Sequence, residues 1–516
     1  MKLAAFLPSL LFVSAVSTAR ADWPQWRGPE RNGTAAASAT LPDRLSDENP
    51  PVQVWKSIDV PSDHYGGHGS VAVADGRLYL SVVWHRDEPT ETRRIDRDVL
   101  ASLGFRGTGS LPDEVVEKME TDRMNLSRRL RGAALDEWAD KWVEENLDAK
   151  TQLSLGSWVA SRFKKGNAAI PLEVYDTLQS VSNKEFADQT ELEAWVEEQQ
   201  FEPSIHDQIL AAVPNTKKVA EDVVLCFDAG TGEPVWKFET EGVPSGRSSS
   251  STPAVADGRV YAALSTNIYC VDAESGEEIW QAPLTGRKGP ASSPLVHDGR
   301  VFLQQNHLSA FDAETGEELW QSKDVKGSNS SPARWQNTIL CNSSNTLLGI
   351  EPVSGETLWS RPGGGDGTPV VSGDHVVVSS RLDDKNLIAY RLSDEEPEKL
   401  WSMGFMARRY SSSPIIHDGH VYYLGSERHL CVDLETGETR WERKAQSSIS
   451  SPLLADGKLL VYENRGGFAS LLATNPDDYQ SLGRAKVGAL FCASPALVGK
   501  DLFLRTSDSV ACYRFE

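Results

Sequence analysis

Short apolar runs and tight polar turns alternate along most of this chain, and they do so in a repeated phrase. Its cleanest copy is residues 310–320. Ala310 and Phe311 end one apolar run, Leu319 and Trp320 belong to the next, and an Asp-x-x-Thr-Gly turn separates them. Asp312 can fold its carboxylate onto backbone N–H groups, and Gly316 can take a positive φ without steric cost. The phrase returns at 226–236, 270–280, 349–359 and 431–441, always ending on Trp. A single hairpin of this kind is marginal in water, so the unit needs neighbours.

A second piece precedes each phrase: Ser/Thr-Pro, a few residues, a tight turn and another apolar run. Thr252-Pro253 with Asp257-Gly258, Ser293-Pro294 with Asp298-Gly299, Ser413-Pro414 with Asp418-Gly419 and Ser451-Pro452 with Asp456-Gly457 are copies. Asp-Gly between apolar runs predicts a two-residue hairpin. Each repeat therefore reads as four antiparallel strands, A to D. The Trp positions 236, 280, 320, 359, 401 and 441 lie 39 to 44 residues apart. Four strands at that period make a β-propeller blade.

Eight A-strand turns are expected, near Asp75, Asp257, Asp298, Gln336, Gly373, Asp418, Asp456 and Gly499. The last repeat has no D strand, whereas Pro51–Ile58, with Trp55, is an orphan D strand at the other end of the chain. Pairing the two closes an all-β ring of eight blades and removes its exposed edges. Blade seven is atypical, because its D strand near Leu482 has no Trp.

Residues 88–220 break this pattern with helical periodicity. Leu111-Pro-Asp-Glu opens one helix; Leu135, Trp138, Trp142 and Val143 mark another. Thr190-Glu-Leu-Glu193 suits a capping box ahead of Trp195 and Val196. This α-helical insertion holds 25 Asp/Glu against 17 Lys/Arg. It interrupts blade one between strands B and C, on the face that also carries the D–A loops. A lid, a specificity element, a docking surface and a passive decoration all suit that position. The expected divisions are 1–21 signal peptide, 22–51 N-terminal segment and linker, 52–87 propeller start, 88–220 insertion and 221–516 remaining propeller. In 22–33, two Trp, two Pro and two Gly predict an irregular segment pinned by aromatic burial.

Composition narrows the function. Lys2, the apolar Leu3–Val16 stretch and Ala19-Arg20-Ala21 form a secretory signal with cleavage expected after Ala21. The apolar run is too short to span a bilayer. The mature chain is therefore expected to be periplasmic or secreted, without a membrane span. A formal charge of −22 argues against nucleic acid as a partner. Cys226, Cys270, Cys431 and Cys512 fall in one strand-C column where other blades have Ala310, Gly349 and Ala389, so they read as small buried hydrophobes. Cys341 and Cys492 lie outside that column.

Loops entering strand A line the channel mouth and are the expected ligand-binding site. They offer His64, His68, Arg247, Arg287, Lys288, Lys326, Asp366, Arg408, Arg409 and Lys444. In so acidic a chain this basic ring suits an anionic small ligand or a protein partner, although charged loop tips are ordinary. The Ser runs before strand A read as small residues required by a narrow ring. His64-x-x-x-His68 supplies two potential metal ligands without an evident third, so no metal site is expected.

The phrase A-x-D-x-x-T-G-x-x-x-W resembles the tryptophan-docking repeat of pyrroloquinoline-quinone (PQQ) propellers, with Glu351 replacing Asp in one copy. Trp23-Pro-Gln-Trp-Arg-Gly resembles the opening of many members. The resemblance covers about 52–87 and 221–516 and implies the eight-bladed fold. Two branches of function are implied with it. One resembles the outer-membrane β-barrel assembly lipoprotein, a cofactor-free binder of partner proteins, whose lipid-anchor Cys this chain lacks. The other is a quinoprotein alcohol or sugar dehydrogenase holding PQQ and Ca²⁺, usually near a disulfide of adjacent cysteines that is absent here. Asp366, Asp383 and Glu463 are the carboxylates available to it. The expectation is a cofactor-free binding or scaffolding module rather than an enzyme, with the dehydrogenase second and a cofactor-independent hydrolase or lyase acting on acidic polysaccharide third.

Overall fold

The computed structural model describes residues 22–515 apart from 49, 61, 63–65, 110, 128, 246–248, 287, 328, 383, 406–411, 445–449, 464–466 and 491. Its strands form eight separate four-stranded antiparallel sheets. Blade three shows the plan: Leu295–His297, Arg300–Gln304, Leu308–Asp312 and Glu318–Ser322 pair in sequence order. The A–B turns take the positive φ that Asp-Gly provides, as at Asp298 (49°) and Gly299 (67°).

The recurring phrase is the joint between blades. Asp312 accepts hydrogen bonds from the N–H groups of Glu314 (2.9 Å) and Thr315 (2.8 Å) and from the Thr315 hydroxyl (3.0 Å). These bonds hold its carboxyl below the usual range. Glu351 performs the same task from one methylene further out, accepting from the N–H groups of Val353 and Ser354. The turn puts Gly316, φ 75°, flat on the Trp280 ring of the preceding blade, where a Cβ would sit 2.5 Å from ring carbons. The Trp280 indole donates to the Ala313 carbonyl of the same turn (3.1 Å). Trp55, Trp236, Trp320, Trp401 and Trp441 likewise donate to a carbonyl of the following blade. At these six joints a blade is thus docked by a large apolar ring whose only polar atom is satisfied.

Strand register explains the small-residue column. Cys226 lies opposite Trp236, Cys270 opposite Trp280, Ala310 opposite Trp320, Gly349 opposite Trp359, Ala389 opposite Trp401, Cys431 opposite Trp441 and Cys512 opposite Trp55. A bulky side chain there would compete with the indole for one space. Burial pushes the Cys226 thiol up to about 11 and those of Cys270, Cys431 and Cys512 to about 12, so they are inert.

The ends of the chain meet as expected. Val52–Lys56 pairs with Val510–Arg514 as the outer strand of blade eight. Most blade interfaces have their own hydrophobic cluster. Blades seven, eight and one instead share one with Trp23, Ala35, Ala39, Leu41, Leu45 and Val60 of the N-terminal region.

The insertion stands on a ribbon. Strands Arg77–Pro89 and Thr216–Asp228 pair over their full 13 residues, and helices fill the chain between them. Two clusters of its own pack it, one around Tyr175, Leu178, Phe186 and Val196, the other around Trp142, Trp158, Val159 and Phe163. Neither cluster contains a residue of the ring. One boundary differs from expectation. Helix Gln189–Glu198 is capped by Asp188, not Thr190. Asp188 has extended backbone and accepts from Glu191 N–H (2.9 Å), while the Glu191 carboxylate reaches back to Ala187 N–H (2.7 Å). The box is the expected one shifted by two residues, because a carboxylate on extended backbone caps as well as a hydroxyl.

Candidate functional site: the central channel and its mouth

Each strand A is entered through a Ser or Thr, and these residues form a belt. Backbone N–H groups donate to the hydroxyl of the next blade: Ser70 to Thr252 (3.1 Å), Thr252 to Ser293 (2.9 Å) and Ser293 to Ser331 (2.9 Å). The belt continues from Thr368 to Ser413 (2.9 Å), Ser413 to Ser451 (3.1 Å), Ser451 to Ser494 (3.0 Å) and Ser494 back to Ser70 (2.8 Å). The Ser and Thr residues at the strand A entries are therefore inter-blade rivets. Small size admits them, and the hydroxyl supplies the acceptor that seven of these buried N–H groups require.

Inside the belt lies the N-terminal segment. Trp23 pairs with Val73 of blade one through both backbone bonds (2.9 and 2.8 Å), and the Pro24 carbonyl accepts from Val255 of blade two (2.8 Å). The Trp26 indole donates to Thr368 Oγ1 of blade five (2.9 Å). Gly33 and Ala35 bracket Leu454 of blade seven, and Thr40 N–H reaches Gly499 O of blade eight. This segment plugs the channel.

Two arginines form its centre. Arg27 and Arg31 are each 2% exposed and both have positive φ, 61° and 55°. Arg27 Nη2 donates to the carbonyls of Asn32 (3.0 Å) and Pro414 (2.8 Å). Arg31 donates to Gln25 Oε1 (3.1 Å), Pro294 O (2.7 Å) and Ser293 O (3.0 Å). Burial pushes both guanidinium groups down to about 9, with the Arg31 charge adding to the effect on Arg27. Gly33, φ 83°, lets the chain pass Arg27: a Cβ there would lie 2.6 Å from Nη2. Beside the plug, Glu30 and Asn32 face Arg334–Gln336 and Val371–Asp374 across a cleft of about 430 Å³.

At the D–A mouth the residues expected from the sequence divide. His64, Arg247, Arg287, Arg408 and Arg409 lie outside the described residues, as does Asp383. His68 is buried. Lys326 exposes its side chain, while its backbone is tied to the Ser343 hydroxyl. Asp366 pairs with Arg381 and accepts from Asn329 Nδ2 (2.9 Å). Lys444 ends the outer strand Thr439–Lys444 of blade six and is exposed, so it belongs to the perimeter rather than the mouth, because D is the outermost strand. Glu463 lies 3.9 Å from Arg484. Among the described residues no three His, Cys, Asp or Glu side chains gather to hold a metal.

Sequence reasoning passed over Arg27, Arg31 and Asp222. Asp222 is wholly buried between blades one and two, accepting from Ser265 N–H (3.0 Å) and Oγ–H (2.8 Å). Burial raises its carboxyl to about 6 against these bonds. The signal for the arginines was their place in Trp-Arg-Gly-Pro, four residues apart with glycine after one of them.

A family model described as outer membrane protein assembly factor BamB matches residues 220–401 and 402–481. Solved structures of similar shape include BamB from Moraxella catarrhalis, 16% identical, covering 57% of this chain and 89% of that one at a TM-score of 0.48. Quinohemoprotein alcohol dehydrogenase from Comamonas testosteroni is 14% identical, with 58% and 72% covered and a TM-score of 0.42. A europium-containing methanol dehydrogenase is 12% identical, with 56% and 80% covered, also at 0.42. No curated protein sequence matches the chain.

Proposed function

This chain belongs to the PQQ-like repeat propeller family that the BamB model describes, and we propose that it serves as an exported binding or scaffolding module that works without a quinone. The observation that carries this reading is the plugged channel. Residues 23–35 bond to six of the eight inner strands or their entries, so the ring's interior is committed to its own chain. The carboxylates at the mouth suit a cation poorly: Asp366 is already engaged by Arg381 and Asn329, and Glu463 lies near Arg484. The binding surface in this reading is the D–A face. There the insertion, packed by its own clusters, is displayed on a long ribbon beside the loops that enter strand A. Scaffold propellers use such loops because the ring fixes their positions.

Calorimetric titration of the purified mature chain with PQQ, with and without Ca²⁺, tests the reading. We expect no saturable heat. One-to-one binding that requires Ca²⁺ would replace it with the dehydrogenase. Export is tested by the mass of the chain recovered from the periplasm, expected to begin at Asp22.

A further inference from the structure

The buried arginines of the ring's plug differ from those of the insertion. There, Arg123 and Arg162 are 2% and 3% exposed, and both bond to Glu120, so the two positive charges share one carboxylate. Arg27 and Arg31 are equally buried, yet every acceptor they meet among the described residues is a neutral carbonyl or amide oxygen. Nitrogens Nε and Nη1 of Arg27 and Nε of Arg31 have no acceptor among the described residues. A guanidinium carries five N–H donors and keeps its proton at neutral pH. Two like charges held together out of water without a counter-charge are strongly unfavourable. The backbone is also bent into the left-handed region at both residues, a conformation that non-glycine residues keep only where the surroundings impose it.

We propose that Arg27 and Arg31 together hold a small inorganic oxyanion, of phosphate or sulfate size, inside the central channel. Such an anion supplies both the missing negative charge and acceptors for the spare N–H groups, and guanidinium is the side chain best matched to it. The plug then acts as a clasp: the anion neutralises the pair, and the neutralised pair fastens the segment to blades three and six through Pro294 and Pro414. The ligand is structural and sequestered, distinct from anything bound at the D–A mouth.

The test uses the full mature chain, unfolded and refolded in phosphate, sulfate or chloride at equal ionic strength. We expect phosphate or sulfate to raise Tm saturably by about 3 °C over chloride. Acid denaturation after dialysis should release one oxyanion per chain. Arg27→Met with Arg31→Met should abolish both the release and the salt-specific shift. If instead the double variant is more stable than wild type in every salt, the pair is a bare buried charge and the proposal fails. Wild-type protein that releases no oxyanion and melts alike in all three salts overturns it without recourse to any variant.

Discussion

In blade three, Ala310 lies opposite Trp320 across strands C and D; in blade seven the same two places hold Leu471 and Gly483. The large and small partners have changed sides, and the indole has gone. What replaces it comes from elsewhere in the chain. Leu45 bridges to Gly483, its N–H donates to Leu482 O (3.0 Å), and a Cβ on Gly483 would collide with the Leu45 carbonyl oxygen. Blade three packs with its own repeat, blade seven with the N-terminal segment. A propeller interface therefore demands filled volume and satisfied backbone, and the Trp phrase is one way of meeting that demand.

The largest expected effect attacks the ordinary joint. Trp280→Ala should cost about 3–5 kcal/mol, since the Gly316 turn cannot collapse into the space. Chemical denaturation monitored by circular dichroism checks this, and a loss below about 1 kcal/mol would mean that the indole is dispensable.

Next come two buried groups at different joints, titrating in opposite senses. His429 lies beside Tyr479 between blades six and seven, and burial lowers it to about 4. Its depressed value means stability is present above pH ~6.5 and is lost as pH falls towards 4, by roughly 3 kcal/mol. The Asp222 carboxyl is raised to about 6, so its folded form binds the proton better and stability is lost as pH climbs from ~4 to 6. That change is also roughly 3 kcal/mol, and the two nearly cancel. Asp222→Asn should unmask a steep acid loss, and His429→Gln should make the protein firmer towards pH 4. Unchanged pH profiles in both variants would remove the assignment.

A smaller effect tests the exchange itself. Restoring the common pair in blade seven, Leu471→Ala with Gly483→Trp, should destabilise by about 1–3 kcal/mol through overpacking against Leu45. A double variant as stable as wild type would show that Leu45 is a bystander. Smallest of all, Asp312→Ala should cost about 1 kcal/mol, the usual value of a side-chain cap on a turn, read as a shift in the urea midpoint.

These contrasts also mark what could be read from the sequence. Eight blades, the closing strand at Trp55 and the helical interruption were legible because each rests on local chemistry: Asp-Gly turns, period-two alternation, 3.6-residue spacing. The belt was half legible. Ser positions before strand A point to a crowded ring, but that Ser293 Oγ serves Thr252 N–H needs the register between blades. Arg27 and Arg31 were not legible as a pair, since a charged residue in an irregular segment ordinarily faces water. Their burial follows from the ring that surrounds them, and no local pattern encodes it.

The clasped N-terminus also sets an order of events. Residues 23–56 are made hundreds of residues before partners that include Leu454, Gly499 and Val510–Arg514. Joining Val52 to Arg514 closes a loop of several hundred residues, an entropy cost of about 5 kcal/mol met only at the end of assembly. Until then blade eight has a bare edge and the channel is open. A nascent or truncated chain thus advertises its incompleteness to proteases at one seam. Once that seam is sealed, the finished ring offers them no free edge there.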